Sequence, residues 1–335
     1  MMLTDSELGF CVQLDIAPEV FMKFITRLLG KSYHSVPYHN VFHAFSVLQG
    51  TYYLVTSTEL CRKFSVIEKL ALMVAAIGHD AGHDGVNTTF HVERNSDLAH
   101  LYNDKSPLEN MHARETFSAM RESGCNVLAS LKPTEMKLTR KLIIESIIST
   151  DMAFHKHHVD ELAAKHEIKM EIVEDREMLM GLMVHLVDVG ASAYSWSEAP
   201  RWSRMVMTEF QAQVEQERDH DMPVSAFMDL GEGDEVAGKF AQSQVGFIGF
   251  VLLPFFQLFP PHIPELTDAY QTLKDNRQAW VDVKEGRKAI PPPVPADDEK
   301  LGWSVNVGHK SADDEKLATA KVTTKLGTRA FGGLC

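Results

Sequence analysis

The sequence predicts an all-α fold, and three observations carry that expectation. Apolar residues recur three and four apart along most of residues 1–285. No stretch alternates apolar and polar residues in the manner of a half-buried strand, and no glycine-rich phosphate loop follows a strand-like run. Along the chain, Pro18–Leu29 places Phe21, Phe24 and Leu28 on one helical face. Ile67–Ile77 does so with Ile67, Leu70 and Val74, and Thr139–Thr150 with Leu142, Ile143 and Ile147. Arg176–Val189 offers Leu179, Leu182 and Leu186, and Arg201–Glu217 offers Met207, Phe210 and Val214. Together they give a compact multi-helix bundle.

At 335 residues the chain suits one large helical domain followed by a tail. Residues 1–289 form the expected domain. From Ile290 the character changes: IPPPVPADDEK is proline-rich and then acidic, and the block ADDEKL occurs twice, at Ala296–Leu301 and Ala312–Leu317. Residues 290–335 therefore read as a flexible tail, or as an extended arm lying on the domain surface.

A net charge of −13 supplies no basic stripe to displace counterions, which argues against binding a nucleic-acid polymer. It does not exclude a small anionic substrate, because a bound dication reverses the local field. Four scattered cysteines, Cys11, Cys61, Cys125 and Cys335, show no CxxC spacing, so a reducing, cytoplasmic setting is expected. The opening MMLTDSELGF carries acids where a secretory leader carries Lys or Arg. Val245–Phe259 is apolar but shorter than the ~20 residues a membrane span needs, and it contains Pro254 and Gln257. It reads as a buried core helix, with no membrane span expected.

Three clusters carry chemistry. In Tyr38-His39-Asn40-Val41-Phe42-His43, two histidines four apart share a helical face and can look into one cavity. In Ile77-Gly78-His79-Asp80-Ala81-Gly82-His83-Asp84, an apolar helix runs into a His-Asp pair, which is costly to bury unless paired or bound to metal. Gly78 and Gly82 leave a solvated helix end as the alternative. In Val184-His185-Leu186-Val187-Asp188-Val189, a carboxylate again sits inside an apolar helix and needs a partner. His43, His79, Asp80 and Asp188 make an N₂O₂ set suited to Zn²⁺, and a bridging Asp80 suits a second, harder ion such as Mg²⁺ or Mn²⁺. This H…HD…D order resembles the HD hydrolase superfamily, within which the substrate could be any phosphate ester.

Further segments narrow the resemblance to the class I cyclic nucleotide phosphodiesterases. They are YHNxxH at Tyr38–His43, Asn95-Ser96-Asp97-Leu98-Ala99, Leu101-Tyr102-Asn103-Asp104, Ser106-Pro107-Leu108-Glu109-Asn110-Met111-His112, Ser149-Thr150-Asp151-Met152 and Ser243-Gln244-Val245-Gly246-Phe247. They fall in order between about residue 33 and residue 260. The resemblance implies hydrolysis of the 3′-ester of cAMP or cGMP to the 5′-monophosphate, with hydroxide shared between two divalent metals as nucleophile. It further implies His39 as general acid, Glu109 as the carboxylate that orients it, and His43, His79, Asp80 and Asp188 as metal ligands. His83, Glu109 and Thr150 correspond to groups holding water on the second metal. Gln244 corresponds to the amide that reads the purine, Phe247 and Val206 to the two faces of its sandwich, and Tyr38, Met152 and Val189 to pocket positions.

The chemistry is coherent with those roles. Two cations neutralise charge on the phosphoryl oxygens, and a basic alkoxide leaving group needs a proton from a near-neutral acid. Read without the resemblance, Phe247 is a core aromatic, Gln244 a helix-surface amide and Glu109 a charge at a helix start. His155-Lys156-His157-His158 reads as a solvated helix end. The chain departs from the family's HDxDHPG pattern at Gly82 and Asp84. Ala191 stands where adenine-selective members often carry asparagine, which points to cGMP or to both nucleotides. The alternative is another HD-type phosphohydrolase acting on a nucleotide or linear phosphate ester. Regulatory domains outside this chain are also expected from the family.

Overall fold

The computed structural model describes residues 8–292, and among these it holds fourteen α-helices and no strand. They are α1 (Phe10–Gln13), α2 (Pro18–Lys31), α3 (Val41–Ser57), α4 (Val66–Gly78), α5 (Thr88–Glu93), α6 (Asp97–Tyr102), α7 (Pro107–Met120), α8 (Pro133–Ile148), α9 (His155–Ala163), α10 (Val173–Asp188), α11 (Ala199–Asp219), α12 (Val236–Phe247), α13 (Leu253–Phe256) and α14 (Thr267–Lys284). The all-α expectation holds, and each segment read as helix is one. Its ends shift where the chain must turn: α8 stops at Ile148, before Thr150, and Val189 opens a 3₁₀ turn, Val189–Ala193.

Helix α4 is the centre of the bundle and packs against α3, α7, α8 and α10. Its residues Leu70–Gly78 are all buried. Removing Leu70, Leu72, Met73 and Ile77 from water contributes about 1.5–3 kcal/mol each. Its start is fixed by a reciprocal cap. The Ser65 hydroxyl accepts from the Glu68 amide and Glu68 accepts from the Ser65 amide, while Arg176 of α10 pairs with the other Glu68 oxygen at 2.6 Å.

Two glycines bring the ligand-bearing helices together. A Cβ on Gly50 of α3 would overlap Val187 of α10, whose Cγ2 would lie 3.3 Å away. A Cβ on Gly78 would overlap Thr116 of α7, with Cγ2 at 2.9 Å, and the Thr116 hydroxyl donates to the Gly78 carbonyl. These close approaches adjoin His79 and Asp188 in the chain.

The apolar C-terminal run departs from its expectation. Helix α12, a π-helical turn at Ile248–Leu252 and α13 form one continuous helix, Val236–Phe256, of 21 residues and mean hydropathy 1.3. By length and composition it could cross a membrane, yet only 28% of its most apolar window is buried. Phe240, Ala241, Gln244, Ile248, Leu252, Phe255 and Phe256 face the core, whereas Phe247 and Phe250 (85% exposed) face outward. It is thus half-buried rather than a buried core helix; uniform hydropathy does not reveal which face a neighbour covers. At the end of the described residues, Ile290 packs on the core and Arg204 donates to the Pro291 carbonyl, so the first tail residues lie on the domain. The ADDEKL repeat lies outside the described residues.

Candidate metal centre and active site

His43, His79, Asp80 and Asp188 converge, with one ligand atom from each lying within 4.8 Å of all the others. They arrive from three directions: His43 from the first turn of α3, His79 and Asp80 from the end of α4, and Asp188 from the end of α10. The two Nε2 atoms of His43 and His79 face each other at 3.2 Å. His43 Nε2 stands 2.9 Å from Asp188 Oδ1 and 3.3 Å from Asp80 Oδ2, and His79 Nε2 stands 3.1 Å from Asp80 Oδ2.

This set fits a cation on its own evidence. His79 Nδ1 meets the Ala76 carbonyl at 2.9 Å and must donate there, which turns the Nε2 lone pair of the neutral ring into the cluster. Asp80 Oδ2 is buried, and no donor among the described residues hydrogen-bonds it, although two imidazoles lie near. Lone pairs and a carboxylate aimed at one point repel unless positive charge sits between them. The same field acts on the histidine: burial disfavours its charge, but Asp80 and Asp188 outweigh this and hold His79 well above its ordinary pKa. The residues are built to hold a positive charge, and a divalent metal satisfies all four at once.

His39 lies beside this cluster by a different route from the one expected. Asn40 caps α3, its side chain accepting from the Phe42 amide, so His39 precedes the helix rather than sharing a helical face with His43. The rings still come together, with centroids 5.8 Å apart, and His39 stacks on His83 at 3.9 Å. The Gly85 amide donates to His83 Nδ1, so the neutral His83 ring carries its proton on Nε2.

The carboxylate that holds His39 is Glu209, not Glu109. Glu209 pairs with His39 Nδ1, and its second oxygen accepts from the backbone amides of Tyr38 (2.8 Å) and His39 (3.1 Å). Burial lowers the His39 pKa, yet Asp80 and Glu209 more than reverse it and raise the group to about 9. Glu209 itself is held below its ordinary range: burial works against its charge, but His39 and the two amides outweigh that. Glu209 arises from α11, whereas Glu109 sits in the first turn of α7. Glu109 is pushed up to about 8, first by burial and then by Asp151, and its Oε2 has no hydrogen-bond partner among the described residues. It is a buried acid beside the metal cluster with an oxygen to spare, which suits a water-holding group. The Thr150 hydroxyl donates to the Ile147 carbonyl and so presents only lone pairs.

Around the cluster, Tyr38 is buried with its ring 4.6 Å from His43 and 6.0 Å from Trp202. Gln244 is buried and its amide approaches the Ser243 hydroxyl at 3.3 Å. Val206 and Val189 are half-buried, while Phe247 and Met152 are exposed. The run His155–His158 is solvated only at Lys156 and His157, while His155 and His158 turn inward. His158 is buried, and His155 Nδ1 meets His185 Nε2 at 2.9 Å, against Phe255. The partner lies 30 residues away and leaves no local signal.

With this geometry in place, a family model described as 3′5′-cyclic nucleotide phosphodiesterase matches residues 38–273. The chain belongs to that family. It is 31% identical over 280 residues to the high affinity cGMP-specific 3′,5′-cyclic phosphodiesterase 9A of Homo sapiens, across 83% of this chain and 46% of that protein. To the dual specificity calcium/calmodulin-dependent 3′,5′-cyclic nucleotide phosphodiesterase 1B of Mus musculus it is 32% identical, across 72% and 44%. The crystal structure of the phosphodiesterase domain of the RhoPDE fusion protein from Salpingoeca rosetta superposes with a TM-score of 0.80 at 31% identity, covering 84% of this chain and 88% of that one. The chain spans less than half the length of the two curated relatives it matches here. The matched region contains every site residue discussed above, from Tyr38 to Phe247.

Proposed function

We propose that the chain hydrolyses the 3′-ester bond of a 3′,5′-cyclic nucleotide to the 5′-monophosphate. The observation that carries this is a four-ligand His/Asp cluster facing a histidine that Glu209 keeps protonated. His43, His79, Asp80 and Asp188 would hold Zn²⁺; Asp80 would also serve a second, harder ion such as Mg²⁺ or Mn²⁺, with His83, Glu109 and Thr150 as polar groups for its water. When bound, this pair supplies Lewis acidity toward the phosphoryl oxygens and toward water. His39 does what no metal can: charged near neutral pH, it delivers a proton to the departing O3′. Glu209 holds the ring through Nδ1, leaving Nε2–H as the deliverable proton. Gln244 takes the purine edge, since an amide offers both donor and acceptor. Phe247 and Val206 flank the base, and Tyr38, Met152 and Val189 shape the wall.

Ala191 supports use of cGMP or of both nucleotides, as do the names of the two relatives. The short span against those relatives supports regulatory segments outside this chain, and the free cysteines Cys11, Cys61 and Cys125 support a cytoplasmic setting. Steady-state hydrolysis of cAMP and cGMP, side by side with Mg²⁺ or Mn²⁺ and again after chelation, tests the reading. Metal-dependent 5′-monophosphate is expected. Turnover of neither nucleotide with metal verifiably bound overturns the reaction, and a many-fold preference for cAMP overturns the nucleotide preference.

A further inference from the structure

Helix α11 carries three buried polar side chains at intervals of four: Glu209, Gln213 and Glu217, none more than 2% exposed. Polar groups buried in a row on one helix face need partners, and each of these has them. Glu209 takes His39 and the backbone at Tyr38 and His39. Gln213 accepts from the Asn87 amide at 2.8 Å through its oxygen and donates to Glu217 at 2.8 Å through its nitrogen. Glu217 in turn accepts from the Ser225 amide and hydroxyl at 2.7 and 2.8 Å.

The Gln213 contact reaches the site through a short path. Asn87 caps α5, its side chain accepting from the Phe90 amide. Two residues before it, Gly85 lies where an added Cβ would meet Val36 at 3.2 Å and the Glu209 stem at 3.7 Å, and its amide donates to His83 Nδ1. His83 stacks on His39. The segment from His83 to Asn87 is therefore tied to α11 by the Gln213 bond, with Gly85 running close by the Glu209 stem, and one face of the His39 ring rests on His83.

From this geometry we infer that Gln213 is a positioning residue for the proton donor, acting through Asn87 and His83 without touching substrate. The inference rests on His39 being that donor. Gln213 registers the His83–Asn87 segment against the helix that supplies Glu209, so stacking partner and carboxylate partner of His39 keep one spacing. Small losses of alignment in proton transfer lower kcat while leaving ground-state binding in place.

The test compares Gln213→Met, the double variant Gln213→Glu with Glu217→Gln, and His39→Ala in the full chain loaded with metal. Gln213→Met fills similar volume but loses both bonds. In the double variant the carboxylate at 213 still accepts from Asn87, and the amide at 217 donates to it, so both bonds return, the first with its direction kept and the second with its direction reversed. Expected are a fall of about tenfold in kcat for Gln213→Met with KM within about twofold, unchanged metal content, and an alkaline limb of the kcat profile moved to lower pH. The double variant is expected to recover to within about threefold of the parent. A fall in melting temperature with kcat and its pH limb unmoved overturns the positioning role and leaves Gln213 structural; so does a double variant no better than the single one. If His39→Ala itself keeps full turnover, the proton-donor reading fails, an outcome separate from a failure of Gln213 alone.

Discussion

Replacing Glu209 with glutamine removes one negative charge and almost no volume, so it isolates what the carboxylate does for His39. The histidine is raised to about 9 against an ordinary value of 6.5. Part of that rise comes from Asp80, whose charge a bound metal neutralises, which leaves Glu209 as the main support of the protonated ring. Without it the group falls back toward its ordinary value. The active form is the protonated one, so a lower pKa moves the alkaline limb of kcat to lower pH. Turnover falls severalfold, up to about tenfold, at pH 8, and by less than about twofold at pH 6, where both forms stay largely charged. The assay is kcat at saturating cyclic nucleotide from pH 5.5 to 9.5, with metal content checked at each end. A uniform loss across the range, with the limb in place, refutes the electrostatic role and leaves Glu209 as a backbone anchor for Tyr38 and His39.

Asp80→Asn and Asp188→Asn are expected to lose metal on elemental analysis and more than about a thousandfold in turnover, because each removes an anionic ligand from the cluster. Chelation of the parent is expected to abolish turnover and lower the melting temperature, since removing the cations leaves converging carboxylates unbalanced. Gly78→Ala and Gly50→Ala should each destabilise by about 1–3 kcal/mol, read by denaturant titration, because the added methyl overlaps Thr116 or Val187. Phe247→Ala is expected to raise KM for both cyclic nucleotides by about tenfold, with kcat changed less than KM; an exposed aromatic that does nothing would leave both unchanged.

The convergence of a His/Asp cluster able to hold a metal was legible in the sequence for a physical reason: polar residues ending or interrupting apolar helices, as at Ile77–Asp80 and Val184–Asp188, need a strong local compensation. The second half of the site was not. Glu209 lies in a helix dense with charge, EFQAQVEQERD, where an acid reads as solvent-facing. Its signal was the spacing of Glu209, Gln213 and Glu217, which aligns three polar groups on a stripe that the fold buries. Glu109 drew the orienting role because it stands in a family motif, but its helix points it at Asp151 and the metal cluster instead. The His39–His43 pairing came out right through the wrong geometry: a turn capped by Asn40 set the rings near each other, where a continuous helix was expected. His155 and His158 could not be placed without knowing that α10 brings His185 alongside.

The two close approaches at Gly50 and Gly78 have a bearing on how such a protein can change. They fix the distances between α3, α4, α7 and α10 at the level of the main chain, next to the residues that would grip the metals. The His/Asp half of the site is therefore dimensioned by the scaffold, while the residues proposed to meet the purine lie on a 3₁₀ turn at Val189–Ala193 and along a half-buried helix. Under the proposed function, substitutions at Ala191 or Phe247 would retune which base is accepted without disturbing the spacing of the His/Asp cluster. The selectivity of the pocket and the power of the reaction would then be separately adjustable in this architecture.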